Sequence, residues 1–221
     1  MKDMQKDFSV SEIFKSSWQG FRQNVMLYVK LLVGALIVLI VLGFLSDRMQ
    51  MVGSLLSLVV QTLLAIGFIS ISLRIAEGKK PQVSDFWGDF GRFLPYLGAT
   101  ILMWVLVGVG ILLLVIPGLI LVAALQLTPY LVVHKKMGPI AAMYKSVALT
   151  RGYRWKIWGV LLILVVINML AVIPLGMGFV ISVPLSMLVM ANVYMVLDGM
   201  VGESEVFPKL DVNTRLTAEP L

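Results

Sequence analysis

Residues 97–133 read LGATILMWVLVGVGILLLVIPGLILVAALQLTPYLVV, without one Asp, Glu, Lys or Arg. A hydrocarbon core about 30 Å thick is crossed by a helix of about 20 apolar residues, with a usable range of about 17 to 25. The run is too long for one crossing and suits two. Pro117 followed by Gly118 lies near its middle and predicts a tight reversal there, because Pro removes a helical donor and Gly tolerates unusual backbone angles. The same measure applied outward marks spans at 25–45 and about 52–73, separated by a short polar stretch that includes Asp47 and Arg48. A last apolar block, 155–197, is interrupted at Pro174-Leu175-Gly176-Met177-Gly178, and Pro184 is expected to kink its second half or to lie near that half's start. The expected fold is all-α: a polytopic membrane domain at 25–197 with six transmembrane helices in three hairpins, 25–73, 96–133 and 155–197.

Composition agrees with this reading. Hydrophobic residues make up 59% of the 221 residues and charged residues 14%, against roughly 45–50% and 25% in an ordinary soluble domain. Mean hydropathy is +0.96. With no Cys and one His, thiol redox chemistry, disulfides and Cys/His metal clusters are excluded, and no cofactor is expected.

The net charge of +6 reflects orientation better than nucleic-acid binding. The basic residues cluster at Lys2 to Lys30, Arg74 to Arg92, Lys135 to Lys156, and Lys209 with Arg215, each cluster lying between or beside the apolar runs. Six crossings put every Lys and Arg except Arg48 on one side, which the positive-inside rule makes cytoplasmic, together with both termini. Residues 1–24 carry acids and bases without an apolar core, so the first apolar run reads as a retained anchor and not as a cleaved signal. Residues 198–221, acidic and poor in apolar residues, read as a mobile cytoplasmic tail.

Each hairpin is preceded by apolar residues at helical spacing: Val10, Ile13, Phe14, Trp18 and Phe21; Val83, Phe86, Trp87, Phe90 and Leu94; Ile140, Met143, Tyr144, Val147 and Ala148. These predict amphipathic interfacial helices in segment 1–24 and at about 84–94 and 139–151, forming with their hairpins a threefold parallel repeat. Ser9 with Glu12 would form a capping box, Ser84 would cap the second helix, and Pro139 would open the third. The helices would lie among headgroups with aromatic residues inward. Lipid contact is expected from Trp18, Arg22, Trp87, Arg92, Lys135, Lys136, Lys145, Arg151, Arg154, Trp155, Lys156 and Trp158, the partners being anionic headgroups.

Catalytic groups are scarce. Every acid falls in a loop or tail, whereas coupled transporters usually keep an ionisable residue inside a span. His134 reads as a boundary residue. Asp85 and Asp89 share a helical face, where they could pair with Arg92 or reach a cation. Gln61, Gln126, Asn168 and Asn192 are intramembrane polar residues that either line a path or pack helices. Gly53 with Ser57, Ala124 with Thr128, and Ser182 with Ser186 are small pairs suited to close helix contact.

The stretch 108–158 carries a recognisable signature: Leu114-Val115-Ile116-Pro117-Gly118-Leu119-Ile120-Leu121, Pro129-Tyr130-Leu131-Val132-Val133, Gly138-Pro139-Ile140-Ala141-Ala142-Met143-Tyr144-Lys145-Ser146, then Thr150-Arg151-Gly152 and Trp155. It resembles a broad prokaryotic group of six-helix membrane proteins, similar to the membrane domain fused to some glycerophosphodiester phosphodiesterases. The resemblance implies a helical membrane domain without established catalytic residues, and the charge bias places it in the prokaryotic inner membrane as an expectation. No soluble phosphodiesterase domain is expected in these residues, so that activity is not carried over. The expected function is a non-enzymatic membrane scaffold or partner-binding protein, engaging a protein partner or a second copy. The alternative is a channel or facilitative transporter for a small solute. The second and third hairpin tips carry no charge, which leaves open a turn inside the bilayer.

Overall fold

The computed structural model describes residues 8–46, 50–173 and 178–200. The described residues contain helices and turns and no strand. In chain order the α-helices are α1 (Val10–Gln23), α2 (Val25–Ser46), α3 (Gln50–Ala76), α4 (Phe93–Leu113), α5 (Val115–Leu125), α6 (Thr128–His134), α7 (Pro139–Leu149), α8 (Arg154–Leu170) and α9 (Phe179–Met200). Arg48, the Pro174–Met177 stretch of the third tip and the tail beyond Met200 lie outside the described residues.

Five stretches are long and apolar enough to cross a membrane: Val25–Phe44, Met51–Ala76, Val83–Leu113, Ile116–His134 and Phe179–Met200. A sixth is reached if α7 and α8, which meet at a bend of 103°, count as one broken span. Only 17% of the Val25–Phe44 stretch is buried against 56% of Phe179–Met200, so α2 is peripheral and α9 central. Apolar side chains such as Val33, Leu36, Ile37 and Ile40 stand exposed on α2. Such a surface suits hydrocarbon and is foreign to a soluble monomer.

The core forms around α9. Leu188, Val189, Ala191, Val193 and Tyr194 are fully covered, and α9 packs on α1, α2, α3 and α8. On the other side α4 packs on α5, α6 and α7, where Val107, Leu125 and Met143 make a smaller cluster. α2 also packs on α3.

The reversal between α4 and α5 is not at Pro117-Gly118. It is at Leu114, whose backbone is extended (φ −161°, ψ 131°), while Pro117 and Gly118 lie in the first turn of α5. A proline there costs little, because the first amides of a helix lack helical acceptors anyway. Gly118 serves close approach: a Cβ on it would fall 2.6 Å from the backbone N of Ile111 and 2.8 Å from its Cα. A Cβ on Gly178 would likewise fall 2.5 Å from the Cα of Ala171. Pro184 falls inside α9, near its start.

The loop expectations need several corrections. Residues 84–94 do not form an amphipathic α-helix; Val83–Phe86 and Phe90–Arg92 are 3-10 turns, and Phe93 already opens α4. The cap is Gln82, in a reciprocal box with Asp85, and not Ser84. Phe86 is drawn out of helical register against the bare backbone of Gly67. Ser9 stands at the N-cap of α1 without a side-chain cap bond, and its hydroxyl meets Ser11 instead. Pro139 opens α7 as expected. The covered face of α7 carries Ala142, Met143, Lys145, Ser146 and Leu149, leaving Ile140 and Tyr144 exposed. The second unit of the expected repeat therefore differs from the first and third. α9 runs on through Met200, so Asp198 belongs to the helix and not to the tail.

Gly118→Ala is expected to lower stability by about 1–3 kcal/mol, since the obstructing atoms are backbone and cannot rotate away. Gly108→Ala, with nothing within 4 Å of the added Cβ, should change it little. Thermal melts of the two variants in detergent check the contrast.

Candidate functional site: the charged end of the bundle

Glu77 follows the last residue of α3, and Gly78 (φ 74°) turns the chain behind it. His134 is the last residue of α6, and Tyr194 and Asp198 are one turn apart on α9. His134 Nε2 lies 2.8 Å from Glu77 Oε1 and Nδ1 2.7 Å from the Tyr194 hydroxyl. An ionised carboxylate only accepts, so Nε2 donates to Glu77. In the neutral ring Nδ1 then accepts from Tyr194, and each donor meets an acceptor. Lys79 Nζ closes the other side of Glu77 at 2.6 Å. Burial of Glu77 disfavours its charge, but the hydrogen bonds and charges of Lys79 and His134 outweigh this and hold its carboxyl below the ordinary carboxylate value.

A second cluster adjoins the first. Asp198 takes Lys135 at 3.0 Å on Oδ2 and Lys145 at 3.7 Å on Oδ1. Lys145 is 3% exposed, and a lysine that deep needs an opposite charge. Lys135 and Lys145 thus turn into the protein toward Asp198, against their expected lipid-facing role. They tie α6 and α7 to α9, and Ser146 adds a 2.7 Å bond to the carbonyl of Ala124 on α5.

The remaining charged residues divide. Asp85 pairs with Arg74 at 3.2 Å and Asp89 accepts from Ser70 at 2.8 Å, so neither pairs with Arg92. Arg92 instead donates to the carbonyl of Lys136 at 3.2 Å. The described residues contain no group of three metal-capable side chains. Lys156 donates to the carbonyl of Phe8 at 3.1 Å and stands over the rings of Phe8 and Tyr153. Trp18, Trp87 and Trp155 are exposed, where the expected lipid contact requires them to be accessible. Trp18 stacks on buried Phe21 beside exposed Lys15 and Arg22, and Trp158 is half-buried.

Four intramembrane polar residues do not converge. Asn168 bonds Ser182 and Ser186 across α8 and α9 at 2.9 Å each. Asn192 on α9 donates to Ser17 of α1 at 2.9 Å. Gln126 caps the end of α5. Gln61 lies in a groove of about 800 Å³ between α3 and α4, with Ser54, Ser57, Thr62 and Thr100. The small pairs Ala124 with Thr128 and Ser182 with Ser186 sit at buried or half-buried helix contacts.

At the α7–α8 bend, Tyr144, Val147, Ala148, Arg151, Gly152, Arg154 and Trp155 line an open groove of about 650 Å³. Gly152 holds the turn with φ 86°. Trp155 is 88% exposed and Tyr144 71%, and the groove wall carries no acid. Sequence reasoning found the cations and Trp155; it missed Glu77, Tyr194 and Asp198 as partners of His134 and the lysines. The signal was there in position for Glu77 and Asp198, each within a turn of the end of an apolar helix.

A sequence profile described as an uncharacterised protein family, UPF0259, matches residues 47–201. A UPF0259 membrane protein of Pectobacterium carotovorum subsp. carotovorum is 33% identical over 106 residues, which are 48% of this chain and 42% of that protein. The chain therefore aligns with less than half the length of that relative. No solved structure matches.

Because the Glu77 carboxyl is held below its ordinary value of 4.5, its interactions contribute stability above that value and lose it as pH falls through the lowered one. The expected result is a wild-type melting temperature in detergent that drops as pH falls below 4.5. Glu77→Gln should melt lower than wild type near neutrality and show a smaller acid drop.

Proposed function

From the premise that this chain belongs to the UPF0259 membrane protein family, we propose that it is a non-enzymatic integral membrane scaffold of the prokaryotic inner membrane, bound to the anionic cytoplasmic leaflet through its charged end. In this reading the helix pairs α2–α3, α4 with α5–α6, and α8–α9 are three hairpins, and α1 and α7 are interfacial amphipathic helices. α1 supports this: it buries Ile13, Ser17 and Phe21 and exposes Lys15, Trp18 and Arg22. The observation that carries the proposal is the acid-free groove lined by exposed Arg151, half-buried Arg154 and exposed Trp155. Each basic residue near an anionic surface gains about 1 kcal/mol, an effect that salt screens. Both termini are cytoplasmic on this reading, and the partner is a protein or a second copy docked at the membrane.

The pairing of Asn168 and Asn192 with serines of neighbouring helices favours scaffolding over conduction, since these groups are satisfied within the bundle. One observation favours the second reading, a channel or facilitative transporter: the polar groove at Gln61 between α3 and α4.

The chain has no Cys, so a single introduced cysteine reports topology. Lys80→Cys should react with a membrane-impermeant maleimide in inside-out vesicles and not in intact spheroplasts; the opposite pattern overturns the orientation. In nanodiscs, phosphatidylglycerol should raise the melting temperature over phosphatidylcholine at low salt, and high salt should remove the difference. Equal melting in both lipids at low salt rejects leaflet binding. Solute flux into proteoliposomes that Gln61→Leu abolishes would install the transport reading.

A further inference from the structure

We infer that the α7–α8 bend is a discrete binding site for the phosphodiester headgroup of an anionic phospholipid. The inference rests on the leaflet-binding reading and narrows it to one place. The chain turns through 103° between α7 and α8, which brings Arg151 of the turn and Arg154 of the first helical position to one groove. Neither guanidinium pairs with a carboxylate among the described residues. Arg154 Nε is buried and meets no acceptor there, an unpaired charged donor whose cost an entering anion would relieve.

The backbone adds donors at the same point. Arg154, Trp155 and Lys156 form the first turn of α8, and the preceding residue, Tyr153, supplies no side-chain cap. Their amides have no helical acceptor, and the positive end of the helix dipole adds to the two guanidiniums. A phosphate is the group that fits planar guanidiniums and free amides together, because it offers several acceptor oxygens and a charge.

The surroundings select a lipid over free phosphate. Tyr144 and Trp155 stand on the walls largely exposed, amphipathic rings of the kind that settle at headgroup depth. Along α8 the surface continues through exposed Leu162, Ile163, Val165 and Val166, a track for acyl chains leading away from the phosphate position. Inorganic phosphate would use none of it.

The test is native mass spectrometry of the full chain in detergent with added phosphatidylglycerol, phosphatidylcholine or inorganic phosphate. Wild type should retain phosphatidylglycerol over phosphatidylcholine. The double variant Arg151→Gln, Arg154→Gln should lose roughly tenfold or more of that affinity, as expected when two charge-assisted contacts go. Lys15→Gln with Arg22→Gln, removing as many charges from α1, should leave it nearly intact. A melting temperature close to wild type in neutral detergent shows that the double variant is folded, and Arg154→Lys, which keeps the charge and loses the planar fork, should fall between. Equal loss from both double variants, or none from the first while wild type still prefers phosphatidylglycerol, overturns the site and leaves leaflet binding standing. No preference for phosphatidylglycerol in wild type overturns both. Displacement of the lipid by inorganic phosphate at similar concentration would make it a free-anion site and overturn the lipid assignment.

Discussion

A peptide group in hydrocarbon finds no water to bond, so a chain that crosses a bilayer must satisfy its N–H and C=O groups within each segment. That requirement makes the crossings helical and drives turns to the ends or into protein. The break between α5 and α6 obeys it. α5 stops at Leu125 and α6 begins at Thr128, yet Leu125, Leu127 and Thr128 are buried against neighbouring helices, where lipid does not reach the interrupted backbone. The 103° bend between α7 and α8 lies beside Arg151 and Arg154 at an open groove, where water can serve the first amides of α8.

The same constraint places the charges. Lys145 and Asp198 would each be costly alone so close to the apolar core, and their pairing relieves the cost without guaranteeing net stability, because buried ion pairs often only break even against apolar packing. What the pair provides is position. Asp198 receives Lys135 and Lys145, and Tyr194, one turn earlier, donates to His134. One face of α9 therefore gathers the ends of α6 and α7, and through Glu77 the end of α3. The other end is held differently, by backbone contact: Gly118 on Ile111 and Gly178 on Ala171. Both glycines let neighbouring backbones approach closely without a polar side chain between them.

Hydropathy made the spans legible because the cost of a charge in lipid acts on every residue of a long run and accumulates. The turns were less legible because one residue decides each. Pro117-Gly118 looks like a reversal in the sequence, yet proline is as content in a first helical turn as in a loop, and Gly118 is explained by Ile111, which no local pattern reveals. The Val83 to Leu94 stripe has helical spacing, but Asp85 bonds the amide of Gln82, Asp89 reaches Ser70 and Phe86 seats on Gly67. One local bond and two tertiary contacts override a weak helical preference. Among the site residues, the basic and aromatic members of the α7–α8 groove were visible by type, while Asp198, the acid that takes Lys135 and Lys145, was not, since pairing depends on which helix ends meet.

The distribution of polar groups decides how the bundle should be understood. A conduit needs its polar residues on one continuous path, whereas a packed bundle needs each to find a partner across the nearest helix contact. Asn168 takes Ser182 and Ser186 on the adjacent helix, and Asn192 takes Ser17 on a helix remote in sequence. Each such bond adds about 0.6–2 kcal/mol and leaves no donor turned toward a shared lumen. Gln61 departs from this pattern by facing the α3–α4 groove, at a depth where an amide needs company. Ser54, Ser57, Thr62 and Thr100 line the same groove and give the surface between α3 and α4 a polar strip.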